Sequence, residues 1–513
     1  MSDRSVELSS LLSSATLIVI GTVLGALAKM VERIIIGRSV SLEAYGEVSI
    51  GLAVLTIASM FSILGFSQGV PRFMTRYEES EQKRGVWLTG LVITLFASSI
   101  VAAVLWVSAP TLTLYLGRTD SVLLLQLFFL TIPLTVGSRI GIGGLQGFEN
   151  TRYRTYVQDI LHPLSRIGLL LVFLWAGYGV LGAGYAYLIA AGLAFLVSHL
   201  YLNRLMPLRG TFVARPKELL RFSVPLTISG FLLILMSQTD TIMLGYFRPS
   251  TEVALYNAAY PLAIGLGTLL NAFNFLYLPL ASRLDANDEL GEVEAIYAIT
   301  TKWAFFLTFP AFLTFAIFSG DILEIFFGLR YRDAGLALTI LTVGYFSNAL
   351  FGQNLRTISA LGDTKYLMIT NSVAFIVNIA INLVLIPQYG FIGASIASAI
   401  SYTTLNISAN VVLWREYRIT PFSRWLIRSL VAVCLVVSPI AIALSQWISL
   451  SLVTLPLFMA GIGVSSIIVA GLVDGLQADD RVVLEQIERY LGRQIPLVRR
   501  YLPTETDEST VLP

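Results

Sequence analysis

The sequence is poor in the residues with which soluble enzymes do chemistry. Charged side chains occupy 13% of its 513 positions, where about 25% is usual in a soluble domain. With 56% of residues hydrophobic, so few charges cannot cover the exterior of a water-soluble fold. A single cysteine, Cys434, excludes a disulfide framework and any cysteine-based metal cluster. Two histidines, His162 and His199, leave little room for a zinc site. Lysine is scarce too, with five against 29 arginines. A net charge of +2 is too small to suggest a nucleic-acid partner. No G-x-x-x-x-G-K-[ST] run occurs, so the chain is not itself the ATPase of a pump, and no cofactor is expected.

What the sequence has in abundance is long apolar runs. A membrane span needs about 20 mostly apolar residues, and that ruler finds fourteen, the first over 11–36 and the last over 451–472. The first run is expected to be a span and not a cleaved leader, although Ala26-Leu27-Ala28 resembles a cleavage site. Arg4 is the only basic residue before it, and the run recurs in an internal repeat. With the N-terminus inside, Lys and Arg gather in the inner loops, for instance at Arg76, Lys83, Arg209 and Arg418. The outer loops hold only Arg38, Arg118, Arg248, Arg330 and Arg332. The positive-inside rule therefore places both termini in the cytoplasm of a multi-pass protein of the cell membrane.

The chain repeats itself. Tyr178-Gly-Val-Leu-Gly-Ala-Gly-Tyr-Ala186 matches Tyr389-Gly-Phe-Ile-Gly-Ala-Ser-Ile-Ala397 at five of nine positions. Glu32 aligns with Asp240, Pro71 with Pro279 and Thr151 with Thr364, at offsets between 208 and 213. Six spans per copy keep both copies in one orientation, as in repeats related by an axis along the membrane normal. The expected fold is thus an all-α membrane protein of about fourteen helices. It comprises an N-lobe (1–210), a C-lobe (211–415), two appended spans (416–473) and a polar cytoplasmic tail (474–513), in which Asp479–Gly492 reads as a short interfacial helix.

Ionisable groups inside spans are costly and therefore informative. Lys29, Glu32 and Arg33 share one face of span one by their i, i+3, i+4 spacing. They read either as a self-neutralising packing cluster or as a site in which Arg33 meets an anion and Glu32 is its switchable counter-charge. Asp240, in the equivalent place in span seven, has no basic neighbour on its own helix and needs a partner from elsewhere, a proton or a cation. Asp159, His162 and Arg166 share a face of span five, which Pro163 should kink. Arg166 lies nearest mid-membrane, at a cost of at least ~2.5 kcal/mol. Only His162 could link it to Asp159, so it is expected to look into water. Asn371, Asn378 and Asn382 form a stripe in span eleven, for which interhelical hydrogen bonding is the default explanation. Arg166 maps close to Asn378 in the repeat. Arg72, Arg139 and Arg356 sit at inner ends of spans, where they bind substrate or simply snorkel.

These features resemble the polysaccharide (repeat-unit) flippase family of the MOP, or MATE-like, exporter superfamily. The resemblance rests on the fourteen spans in a six-plus-six duplication, Leu42-Glu-Ala-Tyr-Gly46, Gly69-Val-Pro-Arg72 and the Tyr-Gly-x-x-Gly-Ala turns. It implies two six-helix lobes in a V, alternating access, and export of an oligosaccharide linked to a polyprenyl or dolichyl phosphate carrier. It also implies a cationic cavity to which Arg33 and, more loosely, Arg166 would belong. On this reading Arg33, Arg166, Asn378, Asn382, Arg72, Arg139 and Arg356 are the candidate substrate-binding residues. Glu32, Asp240 and Asp159 are the candidates for coupling to H+ or Na+. Cation-coupled multidrug export, and a multi-spanning glycan polymerase or glycosyltransferase, are the competing functions.

Overall fold

The computed structural model describes residues 3–116, 122–477, 480, 481 and 488; among these, the side chains of 3–20, 226–230, 233 and 268–276 are not described. The expected outer-loop residue Arg118 and most of the expected tail helix lie outside the described residues. Every regular element among the described residues is helical. The α-helices run, in order, α1 Asp3–Ser39, α2 Leu42–Ser62, α3 Phe66–Arg76, α4 Ser80–Tyr115, α5 Val122–Gly147, α6 Thr151–Thr155, α7 His162–Trp175 and α8 Leu181–Leu205. They continue with α9 Pro216–Phe247, α10 Ser250–Ala286, α11 Leu290–Ile317, α12 Ser319–Phe327, α13 Gly335–Phe351, α14 Asn354–Ala360, α15 Thr364–Val412, α16 Arg424–Ser445 and α17 Thr454–Leu472.

Among the described residues ten helical stretches are long and apolar enough to cross a membrane, against the fourteen expected. One of them, Thr364–Tyr417, covers two expected spans, because α15 bends at Gly390. The long helices α1, α9 and α10 fall on three further expected spans. Gly390 has φ +56°, and a Cβ there would lie 1.7 Å from the Glu252 carboxylate. Glycine is the residue that combines a left-handed backbone with so close an approach. Its counterpart in the first copy, Gly179, between α7 and α8, has φ +54°, so the repeated motif carries a left-handed glycine in both copies.

Other interruptions were not visible in the apolar pattern. Span two is broken into α2 and α3 at Leu64 and Gly65, both with positive φ. Span five carries a π-helical turn over Tyr156–Leu161, directly before Pro163 in the first turn of α7. Such turns are rare inside helices and tend to mark functional positions.

By packing, the chain divides into two compact units, one made of Met1–Ala258 with Ile379–Ala394, the other of Ala259–Asn378 with Ser395–Pro513. The lobes are defined by sequence repetition and the units by packing, so their limits differ. In the first unit α5 is the central helix, packed by α2, α3, α4 and α8. In the second, α11 packs on α13, α16 and α17 around Trp303, Phe305, Phe309, Val433 and Ile462.

Candidate functional site

The first unit gathers most of its intramembrane charge where α1, α5 and α7 bring ionisable groups together. α1 contributes Lys29, Glu32 and Arg33, one turn apart on one face. α7 contributes His162 and Arg166, and α5 contributes Arg139. Arg166 Nη2 lies 3.0 Å from Glu32 Oε2, and the two side chains are 11% and 2% exposed. The Arg166 guanidinium also stacks 4.8 Å over the Tyr187 ring of α8. This corrects the expectation that Arg166 looks into water with only His162 to bridge it. Its counter-charge comes from another helix, because an unpaired buried guanidinium would cost more than the ion pair does.

Around this pair the charges do not balance. Lys29 lies within electrostatic range of Arg166, Arg139, Asp159 and Glu32. His162 lies within range of Arg166, Arg139 and Lys29, and Arg33 within range of Tyr187 and Tyr45. Lys29, Arg33, Arg139 and Arg166 therefore face two carboxylates, Glu32 and Asp159. Asp159, carried on the π-helical turn, is shared with Arg154. Hydrogen bonding is incomplete as well. Glu32 Oε1, Arg33 Nη1 and Arg166 Nε are buried with no hydrogen-bond partner among the described residues. Buried polar atoms are almost always paired, so the two orphan donors, Arg33 Nη1 and Arg166 Nε, mark a place suited to an anion or to water, while Glu32 Oε1 could accept only from a donor such as water.

Asp240 occupies the repeat-equivalent place to Glu32 and has quite different company. It is fully buried. Its Oδ1 accepts a 2.6 Å hydrogen bond from Asn382 Nδ2, and its Oδ2 accepts a 2.5 Å bond from the Tyr256 hydroxyl. Beside it Asn257 bonds Thr241, and the Asn257 carbonyl accepts from the Tyr45 hydroxyl. The partner Asp240 was expected to need is supplied by neutral donors.

The remaining candidates stand apart. Arg72 is exposed on α3 and stacks 4.2 Å from the Phe222 ring. Arg356 is exposed on α14 of the second unit. Asn378 is fully buried and falls in the second unit, whereas Asn382 falls in the first. The sequence reading missed Tyr187 and Tyr256. Tyr187 directly follows the repeated Tyr178–Ala186 motif, a signal that was available; Tyr256 carried none. Among the described residues no group of His, Cys, Asp and Glu could hold a metal by side chains of those types alone.

Comparison with known proteins agrees with this architecture. The family model described as Polysaccharide biosynthesis protein matches residues 11–285, and a second, MatE, matches 225–384. A putative O-antigen transporter of Shigella flexneri is 22% identical over 71% of this chain and 88% of its own. The lipid II flippase MurJ of Bacillus subtilis is 21% identical over 86% of this chain and 89% of its own. A solved structure of a lipid II flippase MurJ in an inward closed conformation shares the fold with a TM-score of 0.70 at 13% identity, covering 89% of this chain and 98% of that one. The chain is a multi-pass membrane protein of the polysaccharide biosynthesis protein family, within the MOP superfamily.

Proposed function

We propose that the protein flips a lipid-linked oligosaccharide from the cytoplasmic to the outer leaflet of the cell membrane by alternating access, with both termini in the cytoplasm. The observation that carries this reading is the under-neutralised, under-bonded cationic cluster of the first unit. The head group of such a substrate, on a polyprenyl or dolichyl carrier, includes a phosphate or diphosphate. Moving that charge through an apolar slab is prohibitive unless fixed donors replace its water. Arginine suits the task because its planar fork binds phosphate through two hydrogen bonds. Arg33 and Arg166 would hold the phosphate, with Arg139 and Lys29 adding field. Glu32, paired with Arg166 when no substrate is bound, would release it as the phosphate arrives.

Coupling would fall to Asp240. A buried carboxylate held by Tyr256 and Asn382 is equipped to take up H+ or Na+. The similarity to transporters supports carriage and not catalysis. Cation-coupled multidrug export draws on the MatE match, but a cluster with four cations against two carboxylates has the wrong sign for cationic drugs. The test is reconstitution into liposomes with a lipid-linked glycan in one leaflet. Leaflet exchange dependent on the protein is expected, and drug efflux without glycan exchange would refute the proposal.

A further inference from the structure

The second unit buries an ion pair that nothing in substrate handling uses. Lys302 of α11 is 2% exposed and Asp480, beyond the last span, is fully buried. Lys302 Nζ lies 2.5 Å from Asp480 Oδ2 and also donates to the Gly475 carbonyl at 3.2 Å. Trp303 Nε1 donates to Asp480 Oδ1 at 2.9 Å, and the Gln477 amide donates to Oδ2 at 2.7 Å. One carboxylate thus takes three donors, two of them from α11. Between the last span and this pair the chain turns at Asp474, whose φ is +52°. It then buries Leu476 in the cluster that holds Trp303, Val433 and Ile462.

The entrance to the appended helices is tied to the same helix. Ahead of α16, the Thr420 amide donates to Glu294 Oε1 of α11 at 3.0 Å. Both ends of the α16–α17 hairpin are therefore fastened to α11, one through Glu294 and the other through Lys302. Tethering a segment at two ends removes the freedom to swing that a single connection would leave. Removing one partner of a buried pair strands the other charge, so this contact needs both Lys302 and Asp480 in place.

We propose that Gly475, Leu476, Gln477 and Asp480 form a clasp that binds α16–α17 to α11, so that the three helices move as one body through the transport cycle. The export arm of its test rests on the flippase reading; the cross-linking arm does not. A Cβ built on Gly475 lies 3.2 Å from Ser429 Cβ of α16, 1.9 Å from its Oγ and 3.0 Å from the Ala470 carbonyl, so the ~3.8 Å of a disulfide is reached once the segment backs off by a fraction of an ångström. In full-length Cys434→Ser protein, Ser429→Cys with Gly475→Cys should cross-link on mild oxidation, read after cleavage at a protease site inserted between α16 and α17. Export by the locked protein should stay within twofold of the reduced form. Loss of export on oxidation that reductant restores would mean that the segment must leave α16 during the cycle, and would overturn the proposal. Adding Asp480→Ala should slow cross-linking at least tenfold. Adding Asp480→Asn, which keeps the shape and serves if the alanine variant fails to accumulate, should slow it at least threefold. Cross-linking at the parent rate in the variants that accumulate would show that the pair holds nothing.

Discussion

Glu32 and Asp240 stand at equivalent places in the two copies of the repeated sequence, yet they are held by different means. Glu32 meets a guanidinium from another helix at 3.0 Å. Asp240 meets an amide and a phenol at 2.6 and 2.5 Å. The first arrangement fixes a charge pair that a competing anion can split. The second holds its carboxylate by hydrogen bonds from two neutral donors. Repetition supplied two acidic positions, and divergence on the neighbouring helices gave them different partners.

The comparison breaks most sharply at Asp240. Asp240→Asn removes the titratable group while keeping the shape, so export should be abolished with normal amounts of folded protein in the membrane. Normal export by that variant would reduce Asp240 to a packing residue. Next in size is Arg166→Ala, which should cut export at least tenfold, since ~1.4 kcal/mol is a factor of ten and each charge-assisted hydrogen bond is worth about 1.5–3 kcal/mol. Glu32→Gln sharpens the contrast by freeing Arg166 from its counter-charge; substrate should bind more tightly and leave more slowly, measured as a lower KM with a lower turnover. Tyr256→Phe deletes one hydrogen bond to Asp240, worth about 0.5–1.5 kcal/mol, and should weaken ion dependence by roughly two- to tenfold. The smallest effect belongs to Arg72→Ala and Arg356→Ala, both on exposed side chains, for which export should stay within twofold.

Much of this was legible in the sequence, for identifiable reasons. Charges inside apolar runs are conspicuous because they are expensive, so Glu32, Arg33, Asp159, Arg166 and Asp240 stood out individually. The duplication was legible because the Tyr178 and Tyr389 turns need the same glycine. Pairings were not. Glu32 and Arg166 come from α1 and α7, and Asp240 and Asn382 are 142 residues apart, so only the packed helices decide who meets whom. The seven-residue gap between Asp159 and Arg166 suggested a bridge through His162, whereas the neighbouring helix α1 offered a direct partner. The break at Leu64 and Gly65 was hidden for a related reason: positive φ is paid for by tertiary packing and leaves no mark on hydropathy. Lys302 went unremarked because its partner, Asp480, lies in the stretch assigned to a polar tail.

The central claim is that the guanidinium cluster of the first unit receives the anionic head group. The most direct measurement is glycan export per folded molecule for Arg166→Ala and Arg166→Lys, with membrane abundance of Asp159→Ala as the structural control. The account predicts at least a tenfold loss for alanine at undiminished abundance. It predicts partial recovery for lysine, whose point charge survives without the bidentate fork. Full export by a normally abundant Arg166→Ala, or equal losses of folded protein in Arg166→Ala and Asp159→Ala with export per molecule unchanged, would contradict it.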